Sequence, residues 1–303
     1  MTVKERAALL SVASNSLLVV LKIAVGAFTG AISVLSEGIH SSMDLIAAAV
    51  QYFAVKKGGA PPDKEHRYGH GKYENVSAGT ESILIMFAGF MIAVHALESV
   101  EHERVPDDVG AGVAIMVFSI IVNFIVSGYM LKVAKDTSSQ ALNADAIHLR
   151  ADIWTSAGVL AGLVLIKITG FLWLDAVIAL FVAFIIMRAG FFLAKSAFLE
   201  LTDATLPESD LKIIRELLET IPEIRGFHAM RTRRSGEKKM IDMHIVFDGA
   251  MHLSRVHAIC DEIEERLKKH GFNTLDILIH PEPYDQNKDK GKYINFKEYL
   301  YEK

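Results

Sequence analysis

The 303-residue chain is 51% hydrophobic, has a formal net charge of −4 and contains one cysteine, Cys260. So small a charge leaves no electrostatic footprint for nucleic acid, and a single cysteine excludes both an intramolecular disulfide framework and a cysteine cage for metal. The apolar residues concentrate in long runs before about residue 200, and the remainder has the composition of an ordinary soluble domain.

Six segments approach or exceed the roughly 20 apolar residues a helix needs to cross a bilayer: 7–31, 33–55, 77–99, 109–133, 143–166 and 170–195. They predict an α-helical membrane protein with a six-span bundle over residues 1–205. No short charged region, apolar core and cleavage site precede the first run, so the first span is expected to stay uncleaved. Gly30 and Gly170 mark short connections that suit helix hairpins. Residues 101–108 form a polar, proline-containing turn, 56–72 a charged loop with two prolines, and 132–143 the fourth-to-fifth connection.

Positive charge is unevenly shared between the connections. Lys4 and Arg6 precede the first span, Lys56, Lys57, Lys64, Arg67 and Lys72 come after the second, Lys132 and Lys135 come after the fourth, and Arg188 and Lys195 sit near the end of the sixth. The other side offers mainly Arg104 and Lys167. The positive-inside rule then places both termini and the two longer loops in the cytoplasm.

Beyond Pro207 the pattern changes. Residues 208–220 have helical periodicity, with Pro207 suited to a first turn. Residues 227–232 and 240–247 read as strands joined by a turn at Ser235 and Gly236; the second puts Ile241, Met243, Ile245 and Phe247 on one face. Residues 253–270 form an amphipathic helix ended by Gly271, and 275–279 a last strand. This αββαβ order over 206–285 predicts a cytoplasmic α+β domain of the ferredoxin-like, metallochaperone-like kind, with its helices on one sheet face. Residues 286–303 are a polar tail.

The chemistry lies inside the apolar runs. The second span holds His40 and Asp44, and the fifth holds His148 and Asp152. Each pair is spaced i, i+4, which places both side chains on one helix face. Packed together, the two helices offer two imidazoles and two carboxylates, a set that suits tetrahedral zinc. A charged side chain at mid-bilayer costs on the order of 2.5–3.5 kcal/mol by insertion scales, and a divalent cation offsets that penalty. Protons compete with metal for imidazole nitrogens near neutral pH, which offers a release route. Asp145, one turn before His148, is a relay or structural polar group. Lys22 is expected to snorkel, Asp175 sits near a membrane end, and Asn15 and Glu37 are candidates to line a cavity.

At these residues the chain resembles the cation diffusion facilitator family, of the bacterial zinc/ferrous-iron efflux type. Its loop Asp63-Lys64-Glu65-His66-Arg67-Tyr68-Gly69-His70-Gly71-Lys72-Tyr73-Glu74 is similar to the family's D-x-x-H-x-x-G-H-G-K-x-E signature. The resemblance implies a homodimer in the bacterial inner membrane that moves divalent metal out of the cytosol in exchange for protons by alternating access. It implies a transport site of His40, Asp44, His148 and Asp152, with zinc preferred and ferrous iron, cobalt, cadmium and manganese as alternatives. It also implies a loop site of Asp63, His66 and His70, and a binuclear zinc site in the soluble domain built from His228, His244, His257, His280 and Glu282. Glu282 stands where the family often has Asp, and Pro281 where it has a polar residue. Lys72 and Asp203 match an interprotomer charge interlock. The metal is cargo and a regulatory ligand, and no organic cofactor is expected.

Two other classes compete. A zinc-dependent membrane enzyme would keep an open metal position and a motif such as H-E-x-x-H, which the chain lacks. A membrane metal sensor would need the cytoplasmic histidines but not paired ligands on two spans.

Overall fold

A computed structural model describes residues 1–29, 32–99, 110–169, 173–270, 272 and 274–284. Gly30, Arg104, Gly170, Gly271, the 101–108 turn, Asp285 and the 286–303 tail lie outside the described residues. So do the side chains of Glu37, His40, Lys167 and Asp175, although their helical backbone is described. The chain divides into two compact units, Met1–Leu201 and Thr202–Lys303.

The first unit is six long helices: α1 Val3–Thr29, α2 Ile32–Gly58, α3 Lys72–Ser99, α4 Gly110–Thr137, α5 Gln140–Thr169 and α6 Trp173–Leu201. Several run three to six residues past their apolar segments; at the start of α3 the added turn buries Glu74 and Asn75, which pair with Lys4 and Glu200. Among the described residues, four of the six are long and apolar enough by themselves to cross a membrane: Val3–Phe28, Lys72–Val94, Val113–Thr137 and Ala176–Leu201. The helices α2 and α5 carry the polar constellation, with Asp44 on one and Asp145, Arg150 and Asp152 on the other.

The unit is apolar outside and polar within. Phe28, Met43, Phe53, Phe124, Ile168 and Phe181 are exposed, while Asn15, Ser41, Gln51, Glu81, Asn123 and Asp145 are buried. In water that arrangement would be heavily penalised, whereas a hydrocarbon solvent accepts the apolar rim. With lipid outside, close packing holds the helices together, and small residues permit it. A Cβ on Gly89 of α3 would lie 2.7 Å from Met187 Cγ and 3.2 Å from the Ala183 carbonyl on α6; one on Gly190 of α6 would lie 2.8 Å from Met86 Cγ and 3.1 Å from the Ser82 carbonyl on α3. The two glycines thus clear the α3–α6 seam from opposite sides.

The second unit runs α7 Glu208–Glu219, β1 Gly226–Ser235, β2 Lys238–Asp248, α8 Leu253–Lys269 and β3 Leu275–Tyr284. Pro207 precedes α7 rather than opening it, its carbonyl accepting from Asp210 N and Leu211 N. The sheet order is β1-β2-β3, with β1–β2 antiparallel and β2–β3 parallel. A two-residue turn at Gly236 and Glu237 closes the hairpin, with Gly236 at φ 61°. Ile241, Met243, Ile245 and Phe247 are buried with Ile214 and Leu218 of α7 and Ile259, Ile263 and Leu267 of α8, so both helices cover one sheet face. The strand β3 extends five residues beyond the expected 279, through Pro281 and Pro283. It is an edge strand, where a missing N–H is tolerated on the outer side.

Candidate metal centres

The first centre joins α2 to α5. His148 Nε2 lies 3.2 Å from Asp44 Oδ1 and 4.0 Å from Asp152 Oδ2. The three residues each offer a ligand atom within 4.8 Å of the others. Ligand atoms around a tetrahedral zinc with bonds of about 2.1 Å stand about 3.4 Å apart, so small side-chain movements would suffice to close on a cation. The expected fourth member, His40, lies one helical turn before Asp44 on the described backbone. The three side chains border a cavity of about 680 Å³, also lined by Asn15, Lys22, Gln51, Glu81 and Asn123.

Lys22 does not snorkel. It is 6% exposed, and its Nζ donates to Ser41 Oγ at 2.8 Å. The tight α1–α2 contact keeps it there: a Cβ on Gly38 would lie 3.0 Å from Ile23 and 3.4 Å from Lys22. Asp145 is buried.

Sequence reasoning missed Glu81. This α3 carboxylate is buried, and its Oε1 lies 3.9 Å from His148 Nδ1. Its other oxygen accepts from Gln51 Nε2. One signal was present: Glu81 is the sole acidic residue of α3 between Glu74 and Glu98.

The second centre is the loop between α2 and α3. Asp63 Oδ1 accepts from the backbone N–H groups of Glu65 (2.9 Å) and His66 (2.7 Å), and these bonds, His66 foremost, hold its carboxyl below the usual range. The same carboxylate lies 3.1 Å from His70 Nε2 and 3.6 Å from His66 Nδ1. Gly69 takes φ 86° to turn the loop, donating to the His66 carbonyl at 2.9 Å. Asp63, His66 and His70 therefore converge.

The third centre lies on the sheet face away from the helices. His228 pairs with His244 across β1–β2, and His244 with His280 across β2–β3, so the three imidazoles form a row. Successive ring centroids are 4.9 and 4.7 Å apart. Glu282, two residues after His280 and on the same face, reaches back along the row. Its oxygens lie 2.9 Å from His228 Nε2, 2.8 Å from His244 Nδ1 and 3.8 Å from His280 Nε2. Hydrogen bonds from His228 and then His244 push its carboxyl below the usual range, against a raising contribution from desolvation. The ligand atoms of His228, His244 and Glu282 converge. His257 does not join them within one chain. It stands 76% exposed on α8, 3.6 Å from Asp261, on the helix layer that covers the opposite sheet face.

A family model described as the cation efflux transmembrane domain matches residues 8–202, and one described as the cation efflux protein cytoplasmic domain matches 206–284. The chain belongs to the cation efflux family. An uncharacterized transporter of Synechocystis sp. is 32% identical over 284 residues, covering 93% of this chain and 91% of its own. The cation-efflux pump FieF of Serratia proteamaculans is 30% identical over 279 residues, 92% of each chain, and that of Pectobacterium atrosepticum 31% over 280 residues, 91% of this chain and 92% of its own. The zinc form of CzrB, a solved structure, overlaps 30% of this chain and 97% of its own at 28% identity, with a TM-score of 0.26. As a member of this family the protein is a cation efflux transporter with transmembrane helices, not an enzyme.

The transporter's expected charge interlock maps to two sites described separately. Lys72, at the start of α3, donates from Nζ to the Leu201 carbonyl at 3.3 Å. Asp203 has φ 59° and accepts from Arg233 Nη1 at 3.2 Å.

Proposed function

We propose that this transporter exports divalent transition-metal ions, zinc first among them, from the cytosol in exchange for protons by alternating access. The observation that carries the proposal is the convergence of Asp44, His148 and Asp152 from two helices on one cavity. One imidazole and two carboxylates suit zinc and its borderline neighbours. His40, one turn from Asp44, is assigned as the fourth ligand. Ions must also leave, and imidazoles that accept protons at physiological pH supply a means of release.

All six helices are assigned as spans. For α2 this is supported by its exposed apolar stripe of Met43, Ile46, Val50 and Phe53, which suits lipid despite the charges elsewhere on the helix. The distribution of lysine and arginine supports cytoplasmic termini, and the relatives support a bacterial inner membrane. Asp63, His66 and His70 are assigned to gathering metal at the cytoplasmic entrance. His228, His244, His280 and Glu282 are assigned to a regulatory zinc site, with the active unit a homodimer to which Lys72 and Asp203 contribute an interprotomer contact. His257 is assigned to that site only from across the dimer.

Metal-by-metal uptake into vesicles reconstituted with the full chain tests the proposal. Zinc flux should respond to an imposed proton gradient and be lost in Asp152→Ala. Flux that is unchanged in Asp152→Ala overturns the site, and preference for ferrous iron, cobalt, cadmium or manganese replaces zinc as cargo.

A further inference from the structure

Glu81 and Gln51 form a polar chain behind the transport cluster that the two His/Asp pairs do not explain. Gln51, on α2, is 2% exposed. Its Nε2 donates to the Ala141 carbonyl on α5 at 2.8 Å and to Glu81 Oε2 on α3, and its Oε1 accepts from Ser77 Oγ on α3 at 2.8 Å. A backbone carbonyl only accepts, so the Ala141 contact fixes which end of the Gln51 amide is nitrogen. Glu81 Oε2 must then be an acceptor. That leaves Glu81 Oε1 facing His148 Nδ1 at 3.9 Å. Both atoms are buried, and neither has a hydrogen-bond partner. Two buried, orphaned polar atoms facing each other are one step from pairing, and closing to about 2.9 Å would satisfy both.

The two ring nitrogens of His148 therefore face different neighbours. Nε2 points at Asp44 and Asp152, and Nδ1 points at Glu81. A histidine that binds metal through one nitrogen usually donates its other N–H to a carboxylate, which fixes the ring's tautomer and orientation and raises its basicity.

We propose that Glu81 is a positioning residue for transport: it accepts the Nδ1–H of His148 when Nε2 coordinates the cation, while Gln51, pinned to α5 by Ala141, holds Glu81 in place. This rests on the assignment of His148 as a transport ligand. The chain links α2, α3 and α5, so an arrangement of the helices that withdraws Glu81 also withdraws His148 from its coordinating orientation.

Glu81→Gln gives the sharpest test. The single oxygen of the new amide is claimed by Gln51 Nε2, so its NH₂ faces His148 Nδ1. Two donors then oppose each other whenever Nε2 binds metal. In vesicles holding the full chain, the KM for zinc should rise roughly 10–100-fold, the usual loss when an outer-sphere partner of a ligating histidine is removed. In the zinc-loaded, ¹⁵N-histidine-labelled protein, the His148 signals, assigned by their disappearance in His148→Ala, should show a metal-bound Nε2 and a protonated Nδ1 in wild type, and lose that pattern in Glu81→Gln. A raised KM with the pattern intact reduces Glu81 to a packing role and overturns the proposal, as does an unchanged KM. Glu81→Asp, whose carboxylate stops one methylene short, should give an intermediate KM; a wild-type KM there also counts against it. Asp152→Ala, run alongside, separates the two claims: wild-type flux in Asp152→Ala removes the transport site itself, whereas its loss together with a wild-type Glu81→Gln removes only the positioning role.

Discussion

Asp44 and His148 are 104 residues apart in sequence, yet Asp44 Oδ1 and His148 Nε2 stand 3.2 Å apart, on two helices that each carry a histidine and an aspartate at i, i+4 spacing. Removing either should remove a direct ligand. Asp44→Ala is expected to raise the KM for zinc by more than the roughly 10–100-fold that loss of an outer-sphere partner produces. Initial rates of zinc uptake over a concentration series check this.

Lys4, on α1, is buried and donates from Nζ to Glu74 Oε1 at 2.9 Å, while Glu74 Oε2 accepts from Ser139 Oγ. Removing one member of a buried pair leaves an uncompensated charge, at a penalty of about 3–5 kcal/mol, whereas replacing both with groups of similar shape is often neutral. Lys4→Met should therefore lower thermal stability in detergent sharply, and Lys4→Met/Glu74→Gln should recover most of the loss. Additive losses in the double variant would deny the coupling.

Gly89 and Gly190 let α3 and α6 approach closely. Gly89→Val would drive its side chain into Met187 and the Ala183 carbonyl, and that backbone oxygen has little room to yield. Overpacking of this kind costs about 1–3 kcal/mol. Because α3 also carries Glu81, the variant should lose transport as well as stability; thermal unfolding and flux on one preparation test both.

Glu282 is held below the usual carboxylate range by bonds from His228 and His244. A carboxyl whose folded pKa is depressed contributes stability above its unfolded value, and that contribution is lost as pH falls through the folded pKa. In metal-free protein, Glu282→Gln should therefore unfold at a lower temperature than wild type at pH 7, and the gap should close as pH drops below the ordinary glutamate range of about 4.3. A gap that widens as pH falls below that glutamate range would contradict the sign.

Periodicity carried much of the architecture. The His40/Asp44 and His148/Asp152 spacings identified the helices that hold the cluster, because i and i+4 share a face whatever the helix packs against. Alternation in β2 similarly separated His244 from the Met243 and Ile245 face. Relationships between elements were less legible. Glu81 has no ligand at helical spacing on α3, and its role depends on where α3 crosses α5. Lys22 looked like a snorkelling cation because Ser41, its partner, sits on a different helix. The last strand reads as ending at 279, and the edge position of β3 explains how it runs on through Pro281 and Pro283. His257 has the right residue type, but it lies on the outward face of α8.

Export by the proposed route requires that α2 and α5 together bind a dication within the helical bundle. Zinc stoichiometry reads it out in a full-length variant whose loop and sheet sites are disabled by Asp63→Ala and His244→Ala, with and without His148→Ala. One zinc per chain should survive the first two substitutions, in a nitrogen and oxygen shell at about 2.0–2.2 Å by X-ray absorption, and His148→Ala should remove it. Zinc retained undiminished after His148→Ala would mean that the two helices do not hold the ion.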